Sequence, residues 1–171
     1  MTEVISDNLA PSWVKSFDVQ YHFEQRENYK VEVYDVDDLK NVSALANHDF
    51  AGSLEFAIHE VVTARDQTLD KPLINPAMGV GKSGNIRIIG EEKVVGSKDE
   101  VLMKIKCRFP DVSGVNFFLI NKIISPTVQK PIYKSEIKSP VGGAYEWNLI
   151  NILSADLAGD DVDREIKFDF F

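Results

Sequence analysis

Apolar residues recur at every second position in nearly every periodic stretch of this chain. Phe17-Val19-Tyr21-Phe23, Tyr29-Val31-Val33 and Val101-Met103-Ile105-Cys107 all alternate in this way. A period of two belongs to a strand with one face buried, whereas a helix needs apolar residues at three- and four-residue spacing. No stretch sustains helical spacing for the usual length of a helix, and only Ile58–Ala64 fits a short helical turn. Short strands separated by turns every eight to twelve residues predict an all-β chain, an antiparallel β-sandwich.

The strands expected in order are 17–23, 29–33, 50–56, an edge strand at 69–74 that carries Pro72, and 85–89. Those of the second half are 101–109, 116–124, 133–137, 147–152 and 166–170. The glycine-rich stretch Gly79-Val80-Gly81-Lys82-Ser83-Gly84 does not have phosphate-loop spacing, and a strand-like segment follows it where a phosphate loop needs a helix. It reads as a hairpin connection. A polar linker at 90–100 marks a domain boundary, giving one unit over 1–92 and a second over 97–171. A weak internal echo supports two related units. Thr2-Glu3-Val4 and Ser135-Glu136-Ile137 each lead through a turn to a tryptophan, Trp13 and Trp147.

Composition narrows function. Hydrophobic residues make up 44% of the 171, enough for a packed core. The net charge of −8 argues against nucleic acid as a partner, because a nucleic-acid binder needs a basic face. Residues 1–96 carry 16 acidic against 9 basic side chains, and residues 97–171 carry 11 against 10, so the acidity lies in the first half. The single cysteine, Cys107, reads as a buried strand residue. One cysteine allows no internal disulfide, which fits a reducing cytosol. No apolar run approaches the length of a membrane span, and the N-terminus lacks the regions of a signal peptide. Membrane contact is therefore expected to be peripheral.

The chemistry concentrates at one strand tip. Val31-Glu32-Val33-Tyr34-Asp35-Val36-Asp37 delivers two carboxylates spaced i, i+2, and Asp49 follows in His48-Asp49-Phe50 at the start of the next apolar run. Aspartate is common in loops because it caps turns. Several carboxylates in one loop repel each other unless a cation lies between them, and Ca²⁺, which takes six to eight oxygen ligands, suits such a loop. His22, His48 and His59 show no zinc-ligand spacing, and His48 reads as a loop residue beside Asp49 rather than a catalyst. No nucleophile–base motif or cofactor fingerprint is present, so an enzyme is not expected.

These residues resemble a known family. Thr2-Glu3-Val4-Ile5, Leu9-Ala10-Pro11-Ser12-Trp13, Phe17 and Tyr21-His22-Phe23-Glu24 are similar to the middle of the first C2 domain of copines. Val33–Asp37 and His48–Gly52 resemble its third calcium loop, and Gly84-Asn85-Ile86 with Glu91-Glu92 its last strand and exit. From Val101 onward the chain resembles, less closely, the start of the second C2 domain. The resemblance implies two C2-like units, incomplete or divergent, and cytoplasmic binding to acidic phospholipid membranes when Ca²⁺ rises, with recruitment to the plasma membrane. It implies Asp35, Asp37 and Asp49 as Ca²⁺ ligands. Val36, Leu39 and Val42 lie in the same loop as candidate lipid contacts, with loop packing as their alternative role.

The resemblance also places Met1 inside the first C2 domain, so the early strands and the first calcium loop are not expected here. The first-loop region of the second unit retains only Asp111 and Asn116 of the family's acidic pattern. The competing expectation is a calcium-independent scaffold for protein partners, built on degenerate C2 folds. An incomplete sandwich would leave Phe17, Val19 and Val31 exposed.

Overall fold

A computed structural model describes every residue except 24, 80, 81, 94–97, 111, 113, 160 and 162. The chain forms two compact units. One is Phe17–Glu91, and the other joins Met1–Ser16 to Glu92–Phe171. Both are built from short antiparallel strands, as the alternation predicts.

In the unit 17–91, β1 (Asn28–Asp35) pairs with β2 (Asp49–Ala57), and β3 (Thr68–Pro72) pairs with β4 (Asn85–Ile89). A two-way backbone bridge between Ser53 and Ile74 links the two pairs. Leu54, Phe56, Val61 and Leu73 are buried, and Tyr29, Val31, Val33, Leu69, Ile86 and Ile88 pack against them. Pro72 ends an edge strand, where its missing N–H costs no ladder bond. A five-residue helix, α1 (Ile58–Val62), follows β2; its Glu60 side chain accepts the Ala57 N–H and satisfies one of the unpaired donors of a helix start. The antiparallel β3–β4 pair bears out the hairpin reading of 75–84, although Val80 and Gly81 lie outside the described residues.

The expected strand at 17–23 does not form: among the described residues no strand precedes Asn28. Phe17, Val19 and Phe23 are exposed at 58%, 42% and 87%. The alternation is present, but no strand pairs with it, and an unpaired strand is not stable by itself. Val31 is half-buried, because it packs against the core of Leu54, Phe56, Val61 and Leu73.

The other unit contains β5 (Glu100–Met103), β6 (Lys106–Arg108), β7 (Phe118–Ser125), β8 (Val128–Lys134), β9 (Ala144–Glu146), β10 (Ile150–Leu153), α2 (Ser154–Ala158) and β11 (Ile166–Phe170). The single strand expected at 101–109 is two, because its first part pairs with β10 and its second with β9. The strand expected at 133–137 lies earlier, at β8, which pairs with β7. β7 is the central strand of a three-stranded sheet, flanked by β11 and β8. That position fits the burial of Phe118 and Ile120, and it also buries the polar Asn121 and Lys122 in the middle of the strand. Phe118, Ile120, Tyr145, Trp147 and Ile150 form the buried core. Phe118 meets Trp147 edge to face with ring centroids 5.0 Å apart, and the indole N–H is satisfied by the Glu136 carbonyl at 3.1 Å. Cys107 lies half-buried in β6, and burial pushes its thiol pKa up.

Candidate functional site

The site is built where β1 hands over to β2. The two strands pair in register from Asn28↔Ala57 to Val33↔Gly52, and then the register shifts. Tyr34 faces Phe50, so Ala51 is the extra residue of a β-bulge. The shift decides the chemistry. Without the bulge, Asp35 would face Phe50; with it, Asp35 faces Asp49 directly.

Two features hold the bulge. Asn75 is buried, and its side-chain amide donates to the Phe50 carbonyl at 2.7 Å and the Ala51 carbonyl at 3.4 Å. Its own carbonyl oxygen accepts the Ala77 N–H at 3.0 Å. Next to the bulge, Gly52 lets β2 approach the segment after β3 closely. A Cβ at Gly52 would lie 3.0 Å from Leu73 Cβ and 3.4 Å from the Ile74 carbonyl.

Asp35, Asp37 and Asp49 are all exposed, and their carboxylates make no hydrogen bond or ion pair among the described residues. Like charges directly opposite in an antiparallel pair destabilise it. Asp38, by contrast, is used locally: its carboxylate accepts the Lys40 N–H at 2.9 Å, an Asx turn. The structure thus brings Asp35 and Asp49 face to face, with Asp37 two residues beyond the end of β1. Among the described residues, no group of three or more His, Cys, Asp or Glu side chains is gathered into a metal cage. The donors that are present, unpaired exposed carboxylate oxygens, have the hard chemistry that a Ca²⁺ ion takes.

The loop 36–48 is folded upon itself. Asn41 N–H donates to the Asp38 carbonyl and Ala44 N–H to the Asn41 carbonyl, and a 3₁₀ turn spans Leu45–Asn47. Leu39 is 67% exposed, while Val36 and Val42 are half-buried. Leu45, at 42% exposure, is a second apolar side chain at the loop surface that the alternation did not single out. His48 is the loop residue beside Asp49 that the sequence suggests, but neither its burial nor that of Asn75 is legible there. Their burial follows from contacts distant in sequence, and the only local signal was their place beside Asp49 and Pro76. Asp111, part of the second unit's first-loop region, lies outside the described residues. Asn116 is buried there, donating to the Tyr145 hydroxyl at 3.3 Å.

Residues 1–73 match the C2 domain family. Copine-E of Dictyostelium discoideum is 28% identical, aligning with 99% of this chain and 28% of its own length. Protein BONZAI 1 of Arabidopsis thaliana is 27% identical over 80% of this chain and 26% of itself. Nicotinic receptor-associated protein 1 of Caenorhabditis briggsae is 33% identical, over 53% of this chain and 16% of itself. The chain therefore spans about a quarter of the length of Copine-E and BONZAI 1. These matches bear out the resemblance to copines and the C2-like β-sandwich that it implied. They support a C2 module of the calcium- and membrane-binding kind in general. Among the described residues, no helix is long and apolar enough to cross a membrane.

Proposed function

We propose that this copine-like C2 protein binds acidic phospholipid surfaces in response to Ca²⁺ through the loop 36–48, and that it acts by binding rather than by catalysis. The observation that carries the reading is the register of β1 and β2. A bulge places Asp35 opposite Asp49, and both carboxylates are left without a cationic partner among the described residues. Two unpaired carboxylates held face to face gain from a hard divalent cation, and Asp37 lies on the same loop as a third donor. A C2 site can complete its oxygen shell with backbone carbonyls, water or a lipid phosphate oxygen, which couples the ion to the membrane. Binding of the cation also inverts the local field of an acidic unit, so that net negative charge does not oppose an anionic surface. Leu39 and Leu45 present apolar side chains from the same loop. The reading places the protein in the cytoplasm, recruited to the plasma membrane when Ca²⁺ rises.

Co-sedimentation with phosphatidylserine vesicles tests it. Binding is expected in Ca²⁺ and not in chelator, and D35N/D37N is expected to abolish it. Unchanged binding by D35N/D37N would refute the site assignment, and a lipid-free control separates aggregation. A second reading, a calcium-independent protein scaffold, draws on the exposed and unpaired Phe17, Val19 and Phe23. It predicts partner binding that survives chelator and no lipid binding at any Ca²⁺ level.

A further inference from the structure

We propose that His48 is a positioning residue for the aspartate loop: its buried imidazole ties the backbone of Asp37 to the start of β2 and so limits where Asp37 lies relative to the facing Asp35 and Asp49 when a divalent cation binds. This inference rests on the calcium reading above.

The loop leaves β1 at Asp35 and re-enters β2 at Asp49. Asp37 lies past the last ladder pair, so strand pairing does not fix it. What holds it is a single contact. The Asp37 N–H donates to His48 Nδ1 at 3.3 Å. His48 is in turn anchored through its backbone, whose N–H donates to the Leu45 carbonyl and closes the 3₁₀ turn. Between Val36 and Asp49, His48 is the one buried residue, at 8% exposure. The two ends of the loop are thus joined by one side chain that belongs to neither strand's ladder.

Packing alone does not account for an imidazole here. Because Nδ1 accepts, the ring hydrogen lies on Nε2. That nitrogen is buried with no hydrogen-bond partner among the described residues. A leucine would fill a similar space without leaving a buried donor unpaired, which carries a desolvation cost. The one interaction that distinguishes histidine from such a filler is the bond to Asp37. Groups that orient metal ligands from behind typically change metal affinity by about 10–100-fold when removed, because the ligands must then be ordered at the moment of binding.

The test compares His48→Leu with His48→Asn in the full chain. Asparagine carries its Oδ1 on the same γ carbon from which histidine carries Nδ1, so it keeps the acceptor while losing the ring. Two quantities are read: amide hydrogen exchange at Asp37 without calcium, and Ca²⁺ affinity by calorimetry. His48→Leu is expected to speed Asp37 exchange about tenfold and to weaken Ca²⁺ binding about tenfold, with the protection of the β1–β2 ladder unchanged. His48→Asn is expected to restore both. The proposal is overturned if His48→Leu matches the wild type in either readout, or if His48→Asn behaves like His48→Leu. Should His48→Leu lose the ladder protection, the comparison of His48→Asn with wild type decides, and loss of Asp37 protection or of affinity in His48→Asn overturns the proposal. A wild type that binds no Ca²⁺ removes the calcium reading and His48's role toward a cation together. A wild type that binds Ca²⁺ as tightly as His48→Leu removes only the role of His48.

Discussion

Substituting Asn75 tests whether the bulge that aligns Asp49 with Asp35 depends on one buried amide. Asn75 is 7% exposed and uses both ends of its side chain: Nδ2 donates to the carbonyls of Phe50 and Ala51, and Oδ1 accepts the Ala77 N–H. In Asn75→Ala the exposed Ala77 N–H can turn to water, and the 3.4 Å contact to Ala51 is marginal, so the main loss is the 2.7 Å bond to Phe50. Leaving this part-buried acceptor unpaired costs about 1–3 kcal/mol. Asn75→Asp is more severe at neutral pH, because it sets a carboxylate oxygen against two carbonyls in a nearly buried site. The sign of its pH dependence follows from burial, which raises the folded-state pKa of the new acid above its unfolded value. The penalty is therefore full above the folded value and shrinks as pH falls through it, when the protonated acid can donate to the Phe50 carbonyl. Native-state amide hydrogen exchange of β2 reads the local opening free energy. At pH 7, Asn75→Ala should speed exchange of the β2 amides about 5- to 150-fold, by the conversion of about tenfold per 1.4 kcal/mol. Asn75→Asp should speed it further, and that excess should diminish at pH 4 after correction for intrinsic rates. Asn75→Asp with wild-type exchange at pH 7 would refute the role assigned to the amide.

Two further outcomes are expected. Gly52→Ala should destabilise the unit by about 1–3 kcal/mol through overpacking, because the added methyl would stand 3.0 Å from Leu73 Cβ; an unchanged urea midpoint would show that the segment after β3 yields freely. The Glu60 carboxyl is held below its ordinary value of 4.5 by the Lys71 ammonium and the Ala57 N–H. A depressed folded-state value contributes stability that is present above the unfolded value and lost as pH falls through the folded one. Glu60→Gln should therefore lose less stability than wild type on acidification below about pH 4.5, and identical acid profiles in urea denaturation would show that the pair contributes nothing.

The period-two alternation was sufficient to read β1, β2, β4 and β11, because each of these strands has a hydrogen-bonded partner and packs one set of its apolar side chains into a core. The same pattern at Phe17–Phe23 formed no strand, since alternation records what a strand could bury and not whether a neighbour is present to bury it. The stretch 101–109 reads as one strand in sequence, and only its two different partners, β10 and β9, divide it. Asp35, Asp37 and Asp49 were visible as residues because carboxylates gathered at a strand tip are chemically conspicuous. Their arrangement was not visible. A single extra residue in β2 decides whether Asp35 faces Phe50 or Asp49, and Asn75, 26 residues away from Asp49, holds that extra residue in place. The sequence by itself determined an antiparallel β protein with an acidic loop, since periodicity and composition are local properties. The pairing of Asp35 with Asp49 and the tie from His48 to Asp37 were decided by the tertiary structure alone, because register and burial depend on contacts between distant segments.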